Sequence, residues 1–136
     1  MAGDTKQVTL TWQEGLRFVG GQLNGPVITI DGNNAAGPGP MVSLLLAAAG
    51  CTGSDVVLIL EKMRVPFSGL QIDVSGVRRE EEPRRYLSIH FEYRIAGPGV
   101  DAGKARRAID LSLEKYCSVI HSLAPDIAIT YALALV

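Results

Sequence analysis

At 136 residues the chain holds about one domain's worth of polypeptide, enough to bury a hydrophobic core but too little for two independent enzymatic lobes. Its 47% hydrophobic and 20% charged residues describe a folded globule and exclude disorder as a global state. With 13 Lys+Arg against 14 Asp+Glu the net charge is -1, so no diffuse positive field favours nucleic acid or a membrane surface as partner.

Two cysteines are too few to staple a miniprotein, and MAGDTKQVTL has no apolar signal-peptide core. The expected compartment is the reducing cytoplasm. Val8, Leu10 and Trp12 alternate with Thr9 and Thr11, which predicts a strand with one face on a core. QEG breaks the pattern, LRFVG resumes it, and after NGP the β-branched run VITI ends at the turn chemistry of DGNN. Three strands therefore open the chain.

From Pro40 to Arg64 the pattern becomes a Leu- and Ala-rich helix, with Pro in the favoured first turn and a stop before Val65-Pro66. If continuous it would span about 37 Å. Met41 to Leu60 has the length of a membrane span, but Gly50, Gly53, Ser54 and Asp55 interrupt its centre and no second span follows, so no membrane partner is expected. A helix this apolar on every side has to be surrounded, and so short a chain can hardly wrap it alone. The small residues Ala47 to Gly50 admit another helix closely, which predicts a homodimer built around this helix. A monomer with a deeply buried helix is the alternative.

LQIDVSGV then alternates, and Leu87, Ile89, Phe91, Tyr93 and Ile95 alternate with Ser88, His90, Glu92 and Arg94, which predicts a hairpin. The charges between them, Arg78 to Arg85, nearly cancel and suit a solvated connection. Asp101 can cap a second helix whose apolar stripe is Ala105, Ala108, Ile109, Leu113, Tyr116, Cys117 and Ile120. After Pro125, the alternating Ile127, Ile129, Tyr131 and Leu133 form a sixth strand. The order βββ-α-ββ-α-β predicts an α+β fold with mainly antiparallel sheets in a single domain, residues 1–136, since a parallel chain would alternate strand and helix regularly.

No phosphate-binding loop, dinucleotide fingerprint, HExxH or paired CxxC is present, so nucleotide and zinc chemistry lose their usual support. With only His90 and His121 beside the cysteines, no metal site and no bound cofactor are expected. Cys51 and Cys117 each lie on the apolar face of one helix, in position to meet in space. The bland alternative is a pair of buried small hydrophobes.

PGPMVSLLLAAAGCTGSDVVLIL, with Cys51 after a run of small residues, resembles the signature of the OsmC/Ohr superfamily of osmotically induced and organic-hydroperoxide-resistance proteins. EKYCSV, with Cys117, is similar to that family's second cysteine helix, and the whole resembles the general OsmC-like branch more than the dedicated hydroperoxide branch. The resemblance implies an intertwined α+β homodimer with antiparallel sheets around a long central helix and the two cysteines close together near the subunit interface. It further implies a thiol peroxidase acting on organic hydroperoxides or hydrogen peroxide. Cys51 would attack as thiolate and become a sulfenic acid, Cys117 would resolve it to a disulfide, and an external dithiol would restore both. The rival function is a non-catalytic dimer that binds a small hydrophobic ligand or senses redox state.

An unperturbed thiol is only about 3% ionised at pH 7, so a cation has to assist. The family resemblance assigns that role to an arginine from the first strands, held by a glutamate near the start of the central helix. Arg17 is the only arginine before Cys51 and so the natural candidate for that role; the alternative is a solvated strand residue. At the glutamate's position stands Met41 or Val42, so the clamp is incomplete. Asp55, one turn after Cys51, opposes a second negative charge unless paired, and His121 would share a helical face with Cys117.

Overall fold

The computed structural model describes residues 2–136, which divide into two compact units, one ending at Leu44 and one running from Leu45 to Val136. The first unit is an antiparallel sheet of β1 (Thr9–Glu14), β2 (Arg17–Gly21) and β3 (Val27–Asp31), paired in that order. Gly15, at φ +52°, supplies the left-handed turn between β1 and β2, a conformation that side chains with a Cβ resist. In this sheet Arg17 stands directly opposite Asp31. The strand forms as expected, but it does not bury one face: every residue of β1 is exposed, and Leu10 and Trp12, with Val8 just before them, are all more than half exposed. The sequence pattern requires a cover, and the strand finds none in its own three-stranded sheet.

α1 (Pro40–Lys62) leads into the second unit, where β4 (Gly69–Arg78) and β5 (Tyr86–Ala96) form the predicted hairpin. Alternation along β5 buries Ile89, Phe91, Tyr93 and Ile95 completely, while Leu87 at its start is exposed. β6 (Ala128–Leu135) pairs with β5 in parallel, so one of the two ladders of this sheet departs from the antiparallel majority. The cause is the intervening helical segment, which carries the chain back across the sheet as a crossover of the kind parallel neighbours need.

Ala48, Thr52, Val56 and Leu60, spaced four apart, are the buried stripe of α1. Thr52 bonds to Tyr93 of β5, and the missing side chain of Gly53 lets the helix close on Ile72 of β4, whose Cδ1 lies 3.2 Å from where a Cβ would sit. The other side of α1 carries Leu46 and Leu58, 58% and 63% exposed, with Gly50 open between them. By length and composition α1 could cross a membrane; 17% of its apolar window is buried, on the side bonded to the second sheet through Thr52.

The second helix corrects a sequence expectation. Asp101 caps α2 (Ala102–Leu111) as predicted, accepting from the backbone N–H groups of Gly103 and Lys104. The helix does not continue regularly through Cys117. Ser112–Tyr116 forms a π-helical turn, Cys117 is extended at φ -72°, ψ 97°, and α3 (Ser118–His121) follows. The wider turn inserts one residue into the stripe, so burial passes from Ser112 to Cys117 and Ile120, and Tyr116 is turned outward to 49% exposure.

Candidate active site

Cys51 and Cys117 meet in the second unit as free thiols, Cys51 half-buried and Cys117 fully buried. Cys51 rides on α1 one position before buried Thr52; Cys117 is delivered by the π-helical turn, whose closing bond runs from the Cys117 N–H to the Ser112 carbonyl at 2.7 Å. Burial pushes the Cys117 thiol up to about 11, and its hydrogen bond to Cys51 and the charges of Cys51 and Asp55 act in the same direction.

Beside the pair runs a chain of hydroxyls. Ser112 Oγ donates to Asp55 Oδ2 at 2.8 Å, and Thr52 Oγ1 lies 2.7 Å from Ser112 Oγ and 2.8 Å from Tyr93 Oη. Each hydroxyl has one proton, and that of Ser112 is committed to Asp55. The direction therefore propagates: Tyr93 donates to Thr52, Thr52 to Ser112 and Ser112 to the carboxylate. Thr52, Tyr93 and Ser112 are fully buried, and burial pushes the Tyr93 phenol well above its ordinary value. The sequence reading missed this network. Thr52 falls on the buried stripe of α1 and Ser112 is buried in the π-helical turn, where a polar side chain requires a partner.

Asp55, whose role the sequence left open, is thus the terminus of that chain and is bonded to a side chain. It also lines an open cavity of about 610 Å³ with Leu58, Ile59, Met63, Leu111 and Tyr116, and with Lys62 and Arg107 among its walls. Apolar walls with a few polar groups are the usual make-up of a small-molecule site. His121 does not share a helical face with Cys117, because the backbone is extended there. Its ring Nε2 reaches the Leu113 carbonyl at 3.1 Å, a carbonyl-capping role. Among the described residues no cluster of three or more His, Cys, Asp or Glu side chains is arranged to hold a metal ion.

Arg17 belongs to the first unit, half-buried, with Glu14 Oε1 at 3.8 Å and Asp31 opposite it across the ladder. Asp31 is 3% exposed, and the backbone N–H groups of Ala36 and Asn33 hold its carboxyl below the ordinary value of 3.8, with the Arg17 charge adding to the effect. A carboxyl depressed in the folded state contributes stability above its unfolded pKa and loses it as pH falls through the folded one. Amide exchange at Asn33 and Ala36 is therefore expected to accelerate as pH drops below about 3.8, relative to the rest of the first sheet, and Asp31→Asn is expected to remove that pH dependence. A pH profile identical in the variant would contradict this role.

A family model for OsmC-like proteins matches residues 32–132. Protein YhfA of Escherichia coli K12 is 39% identical over 127 residues, covering 93% of this chain and 95% of YhfA. An OsmC-like protein from Mycoplasma pneumoniae superimposes with a TM-score of 0.85 at 20% identity, over 99% of each chain. An organic hydroperoxide resistance protein from Legionella pneumophila superimposes with a TM-score of 0.71 at 10% identity, over 98% of this chain and 99% of its own, a likeness of fold alone. The extent of the family match and the identity to YhfA together establish that this chain belongs to the OsmC-like protein family.

Proposed function

We propose that the protein is a thiol-dependent peroxidase that reduces small organic hydroperoxides or hydrogen peroxide through Cys51 and Cys117. The observation that carries this is the pairing of two free thiols from separate helical segments, one half-buried and the other fully buried. The Cys51 thiolate attacks the outer peroxide oxygen: the S–O bond forms, the O–O bond breaks, and the departing alkoxide takes a proton and leaves as alcohol. Cys117 then attacks the sulfenic acid: the S–S bond forms, the S–O bond breaks, and the thiol proton leaves with the hydroxyl as water. An external dithiol returns both sulfurs to thiols, so the cycle needs no resident cofactor.

Arg17 is our candidate for the cation that favours the Cys51 thiolate; its Nε is buried and without a hydrogen-bond partner among the described residues. The bare α1 side bearing Leu46, Gly50 and Leu58 supports a homodimer as the working unit, as the family resemblance implies. The apolar cavity beside Asp55 suits the organic part of a hydroperoxide. It equally supports a second reading, a non-catalytic protein that holds a small hydrophobic ligand. We assign the protein to the cytoplasm, where dithiol reductants are at hand.

Adding cumene hydroperoxide or hydrogen peroxide stepwise, up to twofold excess, to the reduced protein separates the two. The peroxidase is expected to lose two thiols per chain rapidly, counted by mass spectrometry, and to turn over repeatedly when dithiol is supplied. Oxidation no faster than that of a free thiol in solution would leave only the ligand-binding reading.

A further inference from the structure

We propose that Ser112 is a positioning residue for the cysteine pair: it locks Cys117 to the turn of α1 that carries Cys51, and Asp55 sets the orientation in which it does so. The proposal rests on reading the two thiols as a redox pair, and it adds to that reading a named device for their approach.

Ser112 is the one residue bonded to both sides of the pair. Its hydroxyl joins α1 twice, at Thr52 (2.7 Å) and Asp55 (2.8 Å). Its carbonyl accepts the Cys117 N–H at 2.7 Å, the bond that closes the π-helical turn. Thr52 is next in sequence to Cys51, so the path from one cysteine backbone to the other runs through two residues and a single side-chain hydrogen bond. Tyr93 anchors the far side of Thr52 to β5. All three hydroxyl residues are fully buried, where water cannot substitute for a lost partner.

The π-helical turn is part of the same device. In a regular helix the Ser112 carbonyl would accept from Tyr116; the wider turn hands it to Cys117 and brings that residue into the buried stripe. Asp55 accepts the only proton Ser112 has, which leaves the Ser112 oxygen free to accept from Thr52. A carboxylate next to a redox thiol is a puzzle if its charge is its purpose, since it opposes thiolate formation. As an acceptor that orients Ser112, it has a function that does not depend on that charge.

The formation of a disulfide from two thiols by exchange involves no peroxide, so the proposal is testable apart from the peroxidase activity. The intact protein is equilibrated with mixtures of reduced and oxidised dithiothreitol, and the fraction with the Cys51–Cys117 disulfide is read by mass spectrometry after acid quenching. Exchange oxidises both protein thiols and reduces the cyclic reagent disulfide to its dithiol, with two protons carried across, so electrons balance.

Ser112→Ala is expected to weaken the protein disulfide about tenfold against the reagent, because Cys117 is no longer held over Cys51 when reduced. Thr52→Val, nearly isosteric, removes one of the two bonds from Ser112 to α1 and is expected to act in the same direction, with Thr52→Ser restoring the wild-type equilibrium. Asp55→Asn keeps an acceptor oxygen for Ser112 and is expected to remain within about twofold of wild type. If Ser112→Ala does not fold, the Thr52 pair decides. Wild-type equilibria in the folded Ser112→Ala and Thr52→Val proteins would overturn the proposal, and so would an Asp55→Asn equilibrium as weak as that of Ser112→Ala. A protein that fails to consume peroxide yet shows these differences would lose the peroxidase reading and keep this one.

Discussion

Replacing Cys51 by serine is expected to abolish peroxide turnover, a fall on the order of a thousandfold or more, whereas Cys117→Ser is expected to stop the cycle after one oxidation. The difference follows from the environments of the two sulfurs. Burial, more than its bond to Cys51, pushes Cys117 up to about 11, which disfavours its thiolate at neutral pH and suits it to the resolving role. Serine in its place retains an O–H beside the sulfur of Cys51. In Cys117→Ser one equivalent of hydroperoxide should therefore convert Cys51 to a sulfenic acid that dimedone captures, seen as a single adduct by mass spectrometry. Steady-state turnover with dithiol would be low in that variant because the resolving sulfur is gone. If Cys51→Ser retained turnover within tenfold of wild type, the assigned roles would be wrong.

The second large effect concerns assembly. Leu58→Glu is expected to convert a dimer into a monomer, read by light scattering as a drop from twice the 14.5 kDa chain mass to that mass. Leu58 is 63% exposed on the side of α1 that also presents Leu46 and open Gly50, with no polar side chain at Gly50 to keep a partner away. A carboxylate placed in a desolvated helix contact, without a partner charge, costs about 3 kcal/mol or more, roughly a hundredfold in Kd. Peroxide turnover of the wild-type protein, measured across its own dissociation range, would then reveal whether activity depends on assembly. A variant that remains dimeric would locate the contact elsewhere, for example on the exposed Leu10 and Trp12 of β1 and Val8 just before it.

The order of elements was legible because it is written in local periodicity. Val8 to Trp12 alternate, Pro40 opens a long apolar helix, Asp101 caps the next, and Ile127 to Leu133 alternate again, each within a few residues of chain. The two cysteines stood out for the same reason, each embedded in an apolar stripe. Three things were not local and so could not be read. The parallel pairing of β5 with β6 depends on which way the chain returns to the sheet after α2. The π-helical turn adds a residue that no propensity marks; Cys117 stays in the core while Tyr116 turns out of it, and His121 reaches the Leu113 carbonyl. The roles of Thr52, Ser112 and Asp55 arise only when two helices and a strand converge, since a buried hydroxyl's function is set by its partner, and those partners lie dozens of residues away. Periodicity decides which side of an element seeks burial; only the packed chain decides what it is buried against, and the chemistry of the thiol pair depends on the latter.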